Sequence, residues 1–137
     1  MNEIIDFLTK SQTFYVSTID ENSRPKVRPF GFVMEWNGKP AFSTATVKKV
    51  YNQLQNNPNI EICAYIPDTM QWMRVSGTVK FTDEIAAKRK ILEVMPYLKD
   101  LYESEDNPIL TCFYLDEGEA AFYSMATMGE PTEVIKI

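Results

Sequence analysis

Residues Gln71–Thr82 alternate without a break. Met73, Val75, Gly77, Val79 and Phe81 fall on one side, and Trp72, Arg74, Ser76, Thr78, Lys80 and Thr82 on the other. A period of two sustained over that length specifies a β-strand with one buried face. The second face is polar apart from Trp72, so it meets water, a partner or a ligand. A strand of this kind needs further strands beside it, and the rest of the chain supplies them.

Thr13–Ile19 is rich in β-branched and aromatic residues and reads as a strand. Lys26–Trp36 reads as a longer one, interrupted by Pro29 and Gly31. Proline removes a ladder donor, and glycine inside a strand marks a bulge or a close approach. This stretch therefore either lies against a flat ligand or bends at a barrel corner. Asn37-Gly38 tolerates the positive φ angles of a type I′ turn and folds the strand back onto Pro40–Thr44. Asn59–Ile66 places Ile60, Ile62, Ala64 and Ile66 on one side. Ile109–Leu115 and Ala120–Met125 read as two strands joined by a turn at 116–119, and Val134–Ile137 as a short extended end.

Two helices flank these strands. Asn2 is placed to cap a short one carrying Ile4, Ile5 and Leu8. The longest covers Asp83–Ser104, with Pro96 kinking or dividing it. Six or seven strands, mostly hairpin-connected, predict a mainly β single domain over residues 1–137. The expected form is an antiparallel barrel with helices at its ends.

A third helix carries the chemistry. Phe42–Leu54 reads as a strand end, a hydroxyl-bearing turn and an amphipathic helix capped by Thr46. Val47, Val50, Tyr51 and Leu54 make its apolar face, Lys48 and Lys49 lie off it, and Asn56-Asn57-Pro58 ends it. Lysines in a first helical turn oppose the helix dipole. Free N–H groups, hydroxyls and lysines together make a receptor for a phosphate. The junction is thus either a site for a phosphate-tailed small molecule or a surface turn with two solvated lysines.

Composition narrows the choice. A net charge of −5 argues against general affinity for nucleic acid or an anionic membrane surface. The absence of histidine removes the commonest general base and metal ligand, and the two cysteines, Cys63 and Cys112, form no metal-binding spacing. No apolar run reaches bilayer length and no secretory signal is visible, so the expected location is cytoplasmic.

Four local patterns, in this order and spacing, carry a resemblance over nearly the whole chain. They are Lys26-Val-Arg-Pro-Phe-Gly31, Phe42-Ser-Thr-Ala-Thr-Val-Lys-Lys49, Asn57-Pro-Asn-Ile60 and Trp72-Met-Arg-Val-Ser-Gly-Thr78. The chain resembles the flavin-binding split-barrel family related to pyridoxamine 5′-phosphate oxidase, in particular its short bacterial general-stress and nitroimidazole-resistance-like members. The resemblance implies a split β-barrel, a homodimer, and FMN in clefts between subunits. It places Arg28 at the start of the flavin-binding strand and Pro29, Phe30 and Gly31 along the isoalloxazine ring. It sets Ser43 and Thr44 near the flavin and ribityl chain, Lys48 and Lys49 at the phosphate, and Trp72 within reach of the flavin, often from the other subunit.

The chain departs from the oxidase itself, which uses histidine and further basic residues on its substrate's phosphate. Pyridoxamine phosphate oxidation is therefore not the expected activity. The expectation is an FMN-dependent oxidoreductase acting on an unassigned small molecule, with a reduced nicotinamide or another small reductant. The alternative is a non-catalytic flavin-binding module, a sensor or store, on the same fold. No catalytic residue is assigned and no metal is expected.

Overall fold

The computed structural model describes residues 2–137, without the side chain of Asn2. The expected Asn2 cap therefore lies outside the described residues. Helix α1 (Asn2–Ser11) leads into β1 (Phe14–Ile19), β2 (Pro25–Phe30), β3 (Met34–Trp36) and β4 (Lys39–Ala45). Helix α2 (Lys49–Asn56), β5 (Asn59–Ile66) and β6 (Gln71–Thr82) follow. Helix α3 (Ile85–Val94), a 3-10 turn at Pro96–Leu98 and helix α4 (Lys99–Tyr102) precede β7 (Leu110–Ser124) and β8 (Glu133–Lys136).

The strands form one sheet in the order β2-β1-β5-β6-β7-β4-β3, with β8 added to β7. Every pairing is antiparallel. The sheet curls without closing, since β2 and β3 end the order and do not pair with each other. This is the split β-barrel, mainly β with flanking helices. Its larger core joins Phe14, Val16, Phe42, Ile62, Met73, Val75, Phe113 and Leu115 to Ile4 and Leu8 of α1 and to Val50 and Leu54 of α2. A second core packs Ala87, Ile91 and Leu92 of α3 and Tyr102 of α4 on Met34, Ala41, Ala45, Leu110 and Cys112.

Several expectations are corrected. The stretch 26–36 is two strands, because the chain leaves the ladder at 31–33. Asn37 (φ 49°) and Gly38 (φ 77°) do make the hairpin turn, but between the short β3 and β4. The turn expected at 116–119 does not exist. Strand β7 runs straight through it, because β6 offers ladder partners from Gln71 to Thr82, with one bulge at Thr78/Val79. Gly118 serves a close approach instead. It faces Gly77, and a Cβ on Gly77 would lie 2.1 Å from the Glu117 carbonyl oxygen. The helix expected over 83–104 is shorter at both ends, from Ile85 to Tyr102, and it is divided at Pro96 as expected, where the ring and missing N–H break the ladder.

Candidate functional site

Strand β2 is an edge strand, so its outer rim has no ladder partner. Arg28 pairs in register with Val16 and thus shares the core-facing side of the sheet. Its Nη1 donates to the Val16 carbonyl at 3.0 Å and to Thr18 Oγ1 at 2.8 Å. Its Nη2 donates to Gln53 Oε1 at 2.8 Å. Gln53 belongs to α2, so the arginine ties that helix to β1 and β2. Burial holds the Arg28 guanidinium below its ordinary pKa. Among the described residues no carboxylate pairs with it. A guanidinium has five N–H donors, and these bonds leave some of them free.

Arg28 opens onto a cleft of about 720 Å³ that also holds Lys49, Asn52, Gln53, Asn56 and Asn57. Asp20 and Glu21 of the β1–β2 turn reach the same cleft. Asp20 is occupied elsewhere: its carboxylate accepts the backbone N–H groups of Asn22 and Arg24, both at 2.9 Å. The Arg24 bond is the main reason its pKa lies below 3.8.

Helix α2 begins two residues later than the Thr46 cap requires. Lys48 takes the cap position and makes no side-chain cap bond. The Thr46 backbone N–H is committed to the Ile109 carbonyl at 2.8 Å, which holds it with the sheet rather than the helix. The first N–H groups of α2 are therefore left without a side-chain cap. The lysine pair is also split. Lys49 lines the Arg28 cleft, whereas Lys48 lines a second cavity.

That second cavity, of about 200 Å³, continues directly along β2. Pro29, Phe30, Gly31 and Ser43 line it, together with Lys48, Met95, Tyr97 and Leu98. The Phe30 ring packs inward on Phe14 and Phe113, at centroid distances of 6.4 and 6.0 Å. Only the Phe30 backbone is left to form a flat wall. On β4, Thr44 is 4% exposed, and its Oγ1 is the one buried side-chain polar atom without a partner among the described residues. An unmet buried hydroxyl costs about 1–3 kcal/mol, but Thr44 lines neither cavity and lies on the opposite face of β4 from Ser43.

Seven of the expected residues thus line the two cavities: Arg28 and Lys49 the first, and Pro29, Phe30, Gly31, Ser43 and Lys48 the second. Trp72 does not join them. It stacks on Tyr123 across β6 and β7, with centroids 5.4 Å apart and an interplanar angle of 6°. It pairs with Tyr65 on the outer side of the sheet, where Tyr15 and Tyr65 are exposed. Thr18, Gln53, Met95 and Tyr97 were not foreseen. Gln53 sits one residue before the apolar Leu54, where a helical period reads a polar side chain as solvated.

The family model for pyridoxamine 5′-phosphate oxidase matches residues 1–115. A NimC/NimA family protein from Clostridium acetobutylicum is 33% identical, with a TM-score of 0.90 over 100% of this chain and 93% of that one. General stress protein 26 from Bacillus anthracis superposes with a TM-score of 0.77 at 15% identity, over 99% of this chain and 97% of that one. A pyridoxamine 5′-phosphate oxidase-related, FMN-binding protein from Nostoc punctiforme superposes at 0.69 and 18% identity, over 99% and 95%. No curated protein matches the chain.

Proposed function

Because the chain belongs to the pyridoxamine 5′-phosphate oxidase family, we propose that it binds FMN along β2 and works as a flavin-dependent oxidoreductase. The acceptor is a small molecule, and the reductant a reduced nicotinamide or a compound of similar size. The observation that carries this reading is Arg28: a half-buried cation with no carboxylate partner and free donors, beside Lys49 in one cleft. A cation desolvated in this way favours an anion close by.

The residues present fit the cofactor. Arg28, Lys49 and the uncapped start of α2 suit its phosphate. Ser43, which lines the second cavity, suits the polyol. The backbone of Pro29–Gly31, which shares that cavity with Met95, Tyr97 and Leu98, suits a flat ring. Bound flavin would supply the hydride chemistry, and the protein would bind it, orient it and exclude water around it. We further propose a homodimer formed through the outer sheet face, which would bring Trp72 towards the partner's ring.

The visible spectrum of the purified protein, with mass spectrometry of the released compound, tests the cofactor. A yellow two-banded spectrum and released FMN are expected. A colourless protein that does not take up added FMN would overturn the reading. Consumption of reduced nicotinamide with quinones or nitroaromatics, above that of free FMN, tests turnover. Its absence would leave a non-catalytic flavin module. In titrations, Lys49→Glu should weaken FMN at least about tenfold, because a cation at the phosphate becomes a repelling charge. Lys48→Glu should preserve the preference for FMN over riboflavin.

A further inference from the structure

Thr18 and Gln53 form a buried polar pair that packing does not require. Thr18 is 1% exposed and Gln53 9%. On β1, Thr18 continues the buried row of Phe14 and Val16, where valine would serve the core equally well. On α2, Gln53 sits beside the fully packed Leu54. Replacing both groups by apolar ones of the same shape can be nearly neutral for the pair alone, so the cause of their presence lies in their third partner, Arg28.

Their geometry supplies it. Thr18 Oγ1 donates to Gln53 Oε1 at 2.6 Å. Both oxygens accept from Arg28, at 2.8 Å each, and the Val16 carbonyl accepts at 3.0 Å. The guanidinium is fixed in its plane from two elements, β1 and α2. All three acceptors are neutral. A carboxylate at either place would hold the arginine equally firmly and cancel its charge. Arg28 can only donate, so Gln53 must turn its oxygen inward. Its amide nitrogen has no protein partner among the described hydrogen bonds, and the residue lines the cleft.

We infer that Gln53 and Thr18 are positioning residues for a phosphate. They lock the Arg28 guanidinium with neutral oxygens, so that its remaining N–H donors and its full charge stay available to the anion. The inference rests on the phosphate reading above and deepens it. It assigns the discrimination between phosphorylated and unphosphorylated flavin to the charge type at position 53.

The test compares FMN with riboflavin, by fluorescence titration of the flavin-free protein, for wild type, Gln53→Glu, Gln53→Leu and Thr18→Val. Wild type is expected to prefer FMN. Each variant should lose about tenfold or more of that preference, Gln53→Glu the most, while riboflavin affinity holds. A residue with a merely structural role would lower both affinities together. Gln53→Glu and Thr18→Val are nearly isosteric, so they decide the matter even where Gln53→Leu fails to fold. Folded variants that keep the wild-type preference would remove the positioning role and leave the phosphate site standing. A wild type that does not distinguish FMN from riboflavin would overturn the phosphate reading, and this inference with it.

Discussion

Arg28 is surrounded by oxygens and keeps its charge; Cys112 is surrounded by carbon and keeps its proton. Burial pushes the Cys112 thiol up to about 12, and the residue is 0% exposed in the core under α3. The reactive species is the thiolate, so Cys112 is protected by both access and protonation. At pH 8 it should be silent towards a disulfide reagent in the native protein and react within the unfolding transition. A stoichiometric reaction of Cys112 in the folded protein, located by peptide mass spectrometry, would contradict this core. At this scale the sequence was readable where a residue type has few uses. Lys48 and Lys49 stood out because lysines at a helix start ask for an anion, whereas Arg28 entered only through the family resemblance, since its burial depends on partners distant in sequence. Val47 was misread as part of the apolar face of α2. It precedes the helix and is 75% exposed. Gln53 was passed over for the converse reason, a polar side chain buried by a partner distant in sequence.

Elements were legible in proportion to how local their causes are. The Asn37-Gly38 hairpin, the helix stop at Asn57 and the division at Pro96 each follow from one or two residues. The continuity of β7 does not. Its acidic stretch Asp116–Glu119 resembles a turn by composition, and only the ladder with β6 keeps it extended. The Gly77–Gly118 pair marks where that ladder is tightest. A Cβ on Gly118 would lie 2.2 Å from the Ser76 carbonyl oxygen. Backbone cannot yield to such a clash as a flexible side chain would. We expect Gly77→Ala and Gly118→Ala each to destabilise the protein by about 2–4 kcal/mol in urea unfolding. A Gly77→Ala protein as stable as wild type would show that the two strands separate there at little cost.

The whole molecule leaves one large surface without an internal purpose. On the outer side of β1, β5, β6 and β7 lie Tyr15, Tyr65, Trp72 and Tyr123, with the Arg74–Glu61 ion pair among them and Cys63 exposed between. Tyrosine, tryptophan and arginine are the residues that anchor protein interfaces. The proposed homodimer uses this face. Light scattering at micromolar concentration should give a dimer for wild type and a monomer for Tyr65→Arg, with Cys63 becoming more reactive in the variant. A monomeric wild type would remove the dimer and the route by which Trp72 could meet a flavin. The sequence showed this face as a polar row broken by one tryptophan. It did not show that three tyrosines from other strands complete it, because lateral neighbours are set by register and not by spacing along the chain.

The split in the barrel has a further consequence. A sheet that fails to close exposes edges, and unpaired edges recruit strands from other molecules. Here β2 begins with Pro25 and carries Pro29, so two of its six residues have no N–H to offer. The opposite edge, β3, is only three residues long. Both rims, and the four-residue β8 that pairs only with β7, offer little to a strand from another molecule. The split that leaves room for the proposed flavin is thus shielded from strand addition, and Pro29 beside Arg28 guards solubility whatever the cleft binds.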